Sequence, residues 1–256
     1  MFGGGNAALG LLLFAMTAAG FYGAFYLQGA RGFSPLQAGL AFSPTALGAI
    51  GGAPLGVRLS RRWALRPVTA TALATAGLAM GSTMFFGLHT PLARNEIAYL
   101  IQGLSIGMVI GPVTAGLMST LPLERAGAGS AVINTVRQTG SLLGIAAGGT
   151  IMSIVYRRGI EASLRDQPRP VRDQAQVSAE QARHAAAATH QPALAHAADN
   201  AFIHAMHVSA AWTMLIALSG AALLVTALRP ARQPAEVPTG TAVAAVTERG
   251  RPDRRP

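Results

Sequence analysis

Long runs without a single charged residue alternate with short breaks that carry arginine. The runs cover residues 1–30, 32–57, 67–93, 97–123, 138–156 and 200–228. A helix needs about 20 mainly apolar residues to cross a hydrocarbon core of roughly 30 Å. Each run reaches or approaches that length. They predict six membrane-spanning helices, at about residues 6–28, 36–59, 67–88, 95–121, 126–156 and 202–228. The predicted fold class is an all-α membrane protein whose six transmembrane helices form one bundle over residues 1–229.

The breaks predict the topology. Arg58, Arg61, Arg62 and Arg66 form a basic turn between the second and third spans. Short arginine-rich loops stay on the cytoplasmic side. Counting crossings from that turn places both termini in the cytoplasm of a cell membrane. It also makes residues 157–199 a long polar extracytoplasmic loop. That loop carries six arginines against five acidic residues, which runs against the orientation rule. Within it, the stretch 174–188 has the alanine, glutamine and glutamate content of a surface helix. Residues 230–256 read as a disordered cytoplasmic tail.

Composition sharpens the picture. The chain is 51% hydrophobic but only 12% charged, against roughly 25% charged in a soluble domain. The net charge of +10 comes entirely from arginine, since the chain has no lysine. These arginines mark loops rather than a nucleic-acid-binding face, so the expected partner is the lipid bilayer and not nucleic acid. A phosphate-binding glycine loop needs a lysine, which argues against ATP-driven transport by this chain. No cysteine is present, so thiol chemistry is excluded. His184, His190 and His196 are six apart, a spacing that does not align side chains on a helix. Neither a metal site nor a catalytic set is expected, and no cofactor or enzymatic activity is predicted.

One charge is misplaced. Arg137 lies twelve residues after Arg125, about 18 Å along a helix. A charge at such depth faces protein, a water-filled cavity or a partner helix, or else it snorkels to the inner headgroups. Asn134 lies three residues before Arg137 and Gln138 one after; these two are four apart and share a face. These three are the candidate polar residues of the bundle interior. Glycine supplies a second set. Gly103, Gly107 and Gly111 precede Pro112 in the fourth span, and Gly140, Gly144 and Gly148 repeat every four residues in the fifth. Such small-xxx-small steps let membrane helices approach closely, and they are candidates for helix packing and gating.

Three stretches resemble the major facilitator superfamily, in particular its 14-helix drug:proton antiporter group of bacterial multidrug exporters. The first runs from Phe25-Tyr26-Leu27-Gln28 through Gly32-Phe33-Ser34-Pro35-Leu36-Gln37-Ala38-Gly39-Leu40 to Pro44. The second joins Pro54-Leu55-Gly56 to Leu59-Ser60-Arg61-Arg62-Trp63 and Arg66-Pro67. The third and most specific is Ala126-Gly127-Ala128-Gly129-Ser130-Ala131 with Asn134, Arg137, Gln138, Gly140 and Gly144.

The resemblance covers residues 3 to about 229 but corresponds only to the C-terminal six helices of a 14-helix protein. It implies a half of an exporter that moves hydrophobic or cationic small molecules in exchange for protons. The partner implied is a missing N-terminal half or a second copy. Met1-Phe2-Gly3 directly before the first span fits an internal start or truncation. One departure matters. Glu96 and Glu124 sit at span ends, and no acidic residue lies inside a span. A proton relay needs an embedded titratable group, so the chain alone is not expected to couple export to protons. The alternative is a non-transporting remnant, scaffold or partner subunit.

Overall fold

The computed structural model of the chain describes residues 2–227. Within them the protein is helical: α1 (Phe2–Phe25), α2 (Pro35–Trp63), α3 (Leu65–Gly81), α4 (Leu92–Met118), α5 (Ala126–Ile160), α6 (Arg169–Ala175), α7 (Ala179–Ala188) and α8 (Pro192–Ala227). Six of these, α1 to α5 and α8, are long and apolar enough to cross a membrane. This is the all-α, six-span bundle that the charge-free runs predict. The expected tail at residues 230–256 lies outside the described residues.

The helix ends follow local chemistry. After Phe25 the backbone loosens into a π turn, Tyr26–Ala30. Gly32, at φ 69°, then turns the chain. Ser34 opens α2 with a full capping box: its side chain accepts from the Gln37 amide while the Gln37 side chain caps Ser34 in return. Pro35 at the first helical position costs nothing there.

The predicted basic turn is much tighter than a loop. Arg58, Arg61 and Arg62 belong to the last turns of α2, and Arg66 opens α3. Ala64, at φ 69°, makes the corner almost alone. Arginine is a good helix former, and cations are favourable at a helix C-terminus, so the cluster extends the helix instead of ending it.

Packing is organised as two side-by-side pairs. α2 lies along α4, and α1 lies along α5, while α3 and α8 touch each other and close the bundle behind them. α3 also leans on α4 as α8 leans on α1. The pattern is that of two three-helix units, α1–α2–α3 and α4–α5–α8, exchanging equivalent contacts. Nested inverted repeats of this kind occur in transporter bundles.

Glycine sets both side-by-side contacts. In α2, Gly48, Gly52 and Gly56 repeat every four residues and meet the backbone of α4 at Leu100, Leu104 and Met108. Gly103 and Gly107 answer from α4 against Thr45 and Ala49. In α5, Gly140, Gly144 and Gly148 have the same spacing and meet Gly10, Phe14 and Ala18 of α1. Thr17 adds a hydrogen bond of 2.9 Å to the Ser141 carbonyl across that seam. The glycine-rich helices α4 and α5 therefore do not zip to each other. Each zips to a helix of the other three-helix unit. Gly111 stands outside the seam, exposed and facing open space.

Of the prolines inside the helices, Pro44 is compensated locally. It deprives the Leu40 carbonyl of its helical donor, and the Ser43 hydroxyl bonds that oxygen at 2.7 Å. Proline is tolerated in a membrane helix when neighbours satisfy the freed group in this way. Pro112 frees the Met108 carbonyl, which faces the Gly56 backbone across the seam, where a Cβ would lie 2.6 Å from the oxygen.

The polar segment between the fifth and last spans is largely helical. α5 continues to Ile160, a 3-10 turn covers Glu161–Leu164, α6 and α7 follow, and α8 begins at Pro192, ten residues before the predicted span. α7 buries Ala179, Ala182, Ala185 and Ala186, and it lies against α8. An alanine face has little hydropathy of its own, so its burial shows only once the partner helix is in place.

These contacts predict opposite outcomes for two neighbouring glycines. Gly103→Ala forces a methyl into the Thr45 backbone and should cost about 1–3 kcal/mol, the range of overpacked cores. Gly111→Ala meets nothing and should be neutral or stabilising by up to about 1 kcal/mol through helix propensity. Thermal unfolding of the two variants in detergent, followed by size-exclusion chromatography, checks the contrast.

Candidate functional site

α2 and α5 are the least covered spans. In their most apolar windows 22% and 28% of residues are buried, against 56%, 61% and 50% in α1, α3 and α4. The glycine seams occupy one side of each helix, and among the described residues no other helix covers the opposite side. On α2 that open side is chiefly apolar, with Leu40, Leu47, Ile50 and Val57 exposed. On α5 it is mixed. Ser130, Asn134, Thr135, Gln138 and Thr139 are exposed beside Leu142 and Ile145.

The structure brings Asn134, Arg137 and Gln138 to this open side. Asn134 and Gln138 are exposed and Arg137 is half-buried at its edge. None of the three forms an interhelical hydrogen bond or ion pair among the described residues. The depth of Arg137 follows from register. Gly140 meets Gly10 and Gly144 meets Phe14, so Arg137 lies level with Ala7. That is five residues, about 8 Å, from the start of α1. Arg137 therefore sits near the end of the bundle where α1 begins, beside an uncovered polar strip.

A second polar cluster lies at the opposite end of the bundle, where α1 ends, and the charge pattern gave no warning of it. Tyr22 is buried, with its hydroxyl 3.4 Å from Thr83 and 3.3 Å from Thr213, which joins α1, the end of α3 and α8. Tyr26 donates to the Gly87 carbonyl at 2.8 Å, and Arg31 donates to the Thr90 carbonyl at 2.7 Å. His207 Nε2 lies 2.8 Å from the Phe86 carbonyl. Asn95 is buried nearby in sequence at 0% exposure, with neither side-chain amide atom hydrogen-bonded to protein.

On the other flank, Arg183 of α7 bonds both Asp199 of α8 and the Gly29 carbonyl of the π turn. Tyr156 of α5 donates to the Ala175 carbonyl at 2.9 Å. The α6–α7 segment is thereby tied down as a cap over α1, α5 and α8. No local motif announces Arg183 and Asp199 as partners, because they are 16 residues apart on different helices.

Comparison with known proteins agrees with this architecture. The profile of the Major Facilitator Superfamily matches residues 2–145. The chain belongs to that superfamily, a family of membrane transporters, and it is a multi-pass membrane protein. Several of its curated relatives are named for resistance or export, as the motif resemblance implies. A methylenomycin A resistance protein of Streptomyces coelicolor is 31% identical over 59% of this chain and 32% of its own length. A tetracenomycin C resistance and export protein of Streptomyces glaucescens is 26% identical over 98% of this chain and 45% of its own length. A methyl viologen resistance protein of Salmonella typhimurium is 28% identical over 75% of this chain and 40% of its own length. The chain thus spans less than half of each of these relatives.

The cap contact generates a prediction. Arg183→Ala removes a charge-assisted bond at a partly exposed site and should loosen the cap by about 1 kcal/mol. Amide hydrogen exchange should then speed up roughly fivefold in residues 179–188 and at the π turn, while the α2–α4 seam keeps its rate.

Proposed function

We propose that this chain is one six-helix half of a proton-driven exporter of hydrophobic or cationic compounds in the bacterial cell membrane. The observation that carries the reading is the open polar strip on α5. Asn134, Gln138 and the edge residue Arg137 stand on a spanning helix where nothing among the described residues covers them. Lipid tails cannot satisfy such groups, whereas a partner bundle or a water-filled path can. The uncovered faces of α2 and α5 form the surface for that partner, either a complementary N-terminal half or a second copy. The relatives' names, their greater length and the superfamily match support this assignment.

In this reading the arginine cluster Arg58–Arg66 lies in the cytoplasm with both termini, and the α6–α7 cap faces outward. The proton gradient drives export, but the acidic relay belongs to the partner. The two glycine seams hold α1 on α5 and α2 on α4 as rigid pairs, which a rocking mechanism requires.

The test is transport in proteoliposomes under an imposed pH gradient, read with a fluorescent lipophilic cation. The chain alone should show no gradient-dependent movement. The chain co-expressed with the N-terminal part of the Streptomyces glaucescens relative should show it. Gradient-driven transport by the chain alone would overturn the half-transporter reading. In the co-expressed form Arg137→Leu should lower the transport rate at least about tenfold, and Arg137→Lys should restore most of it. That pattern is expected for a cation needed at the edge of a wet path.

A further inference from the structure

Beneath α7 a cleft opens between the outer ends of α1, α5 and α8. Its volume is about 180 Å³. An apolar cavity of about 150 Å³ accepts benzene, so this cleft has room for one ring and a compact head group. Its walls are aromatic. Phe21 and Phe25 of α1 stand with ring centroids 4.9 Å apart, and Tyr156 and Phe202 face the same space with Met152. Phe25 remains 50% exposed, so its ring is open to a ligand.

The polar groups at the rim are unequal. The Tyr156 hydroxyl is committed to the Ala175 carbonyl. Arg183 is neutralised by Asp199 and also holds the Gly29 carbonyl. Glu180, in the first turn of α7, lines the cleft, is exposed, and forms no ion pair among the described residues. Arg157 and Arg158 on α5 do not line it. The cleft therefore combines several aromatic rings with one carboxylate that has no partner. Ring faces attract cations, and Glu180 supplies the opposite charge at the mouth.

We propose that this cleft is a binding site for small aromatic organic cations at the outer end of the bundle. The ring lies between Phe21, Phe25 and Phe202, and the quaternary head lies against Glu180. A separate shallow groove lined by Met16, Gly20, Phe21 and Ile145 lies next along α1 and shares the Phe21 ring with the cleft. This places the site where a compound leaving the open face would pass under the cap. The inference rests on the transport reading for its role, but its binding chemistry is tested separately.

The experiment uses the full chain in nanodiscs of zwitterionic lipid, with benzyltrimethylammonium as probe and neopentylbenzene as its neutral isostere, read by saturation-transfer NMR. Saturable binding of the cation is expected, with the isostere several-fold weaker. Glu180→Gln should weaken the cation about 3–5-fold, the scale of an exposed charge contact, and leave the isostere unchanged. Phe25→Ala should weaken both. Unchanged hydrogen exchange in α7 of Glu180→Gln confirms that the cap still docks. Absence of saturable binding, equal binding of the isostere, or full affinity in both variants would overturn the site. Cation binding with these dependences but no transport by the co-expressed halves would sink the transport reading and leave the site standing. Transport by those halves without the binding pattern would do the reverse.

Discussion

Close approach of one backbone to another, made possible by glycine, is the constraint on which this structure depends. Lipid tails are as apolar as the side chains they would replace, so burial alone does not drive membrane helices together. Dispersion contacts and complementary surfaces must do it, and they reward the closest approach. Gly48, Gly52 and Gly56 on α2 and Gly140, Gly144 and Gly148 on α5 supply two such surfaces with identical spacing. The rest of the bundle follows from them. Once α2 lies on α4 and α5 on α1, α3 and α8 are left to close the back, and their mutual contact joins the two units.

The end of the bundle that carries the π turn is held by a different kind of force. There the bonds are directional and run between elements far apart in the chain. The π turn is gripped on one side by Tyr26 and Arg31, which reach the loop before α4, and on the other by Arg183 from the cap. A π turn is an unfavourable local geometry that tends to survive where surrounding contacts hold it in place. Here three side chains supply that support. At the opposite end the exposed basic residues Arg58, Arg61 and Arg62 crowd the end of α2. The bundle is thus stitched by hydrogen bonds at one end and flanked by like charges at the other.

Much of this was legible in the chain because the membrane imposes a simple rule. Charge is excluded from spans, so the charge-free runs located all six spanning helices and the arginines located the breaks. The helix ends were less legible. Arg61 and Arg62 read as a loop because they are charged, yet the peptide geometry breaks only at Ala64. The alanine, glutamine and glutamate content of 174–188 announced α7, but its burial against α8 was hidden because an alanine face carries too little hydropathy to register as a buried stripe, and α6 had no signal of its own. The four-residue glycine repeats of α4 and α5 were visible, and the one in α2 was equally so. Their partners were not, because pairing α1 with α5 and α2 with α4 depends on topology rather than on any local pattern. The same holds for Arg183 with Asp199 and Gly29, and for the rings that gather around the outer cleft.

The glycine seams also explain why the open face lies where it does. A helix that spends its small residues on one neighbour has its larger and more polar residues on the other side. In α5 the seam residues alternate with Asn134, Gln138, Leu142 and Ile145, so tight packing on α1 forces the polar strip outward. In α2 the equivalent seam turns Leu40, Leu47 and Ile50 outward instead. The two uncovered faces occupy corresponding places in the two three-helix units but differ in chemistry. A lipid-facing surface would have no reason to hold amides on one and aliphatics on the other. In the exporter half proposed above, the aliphatic face would seal against the partner bundle while the amide face lines the path.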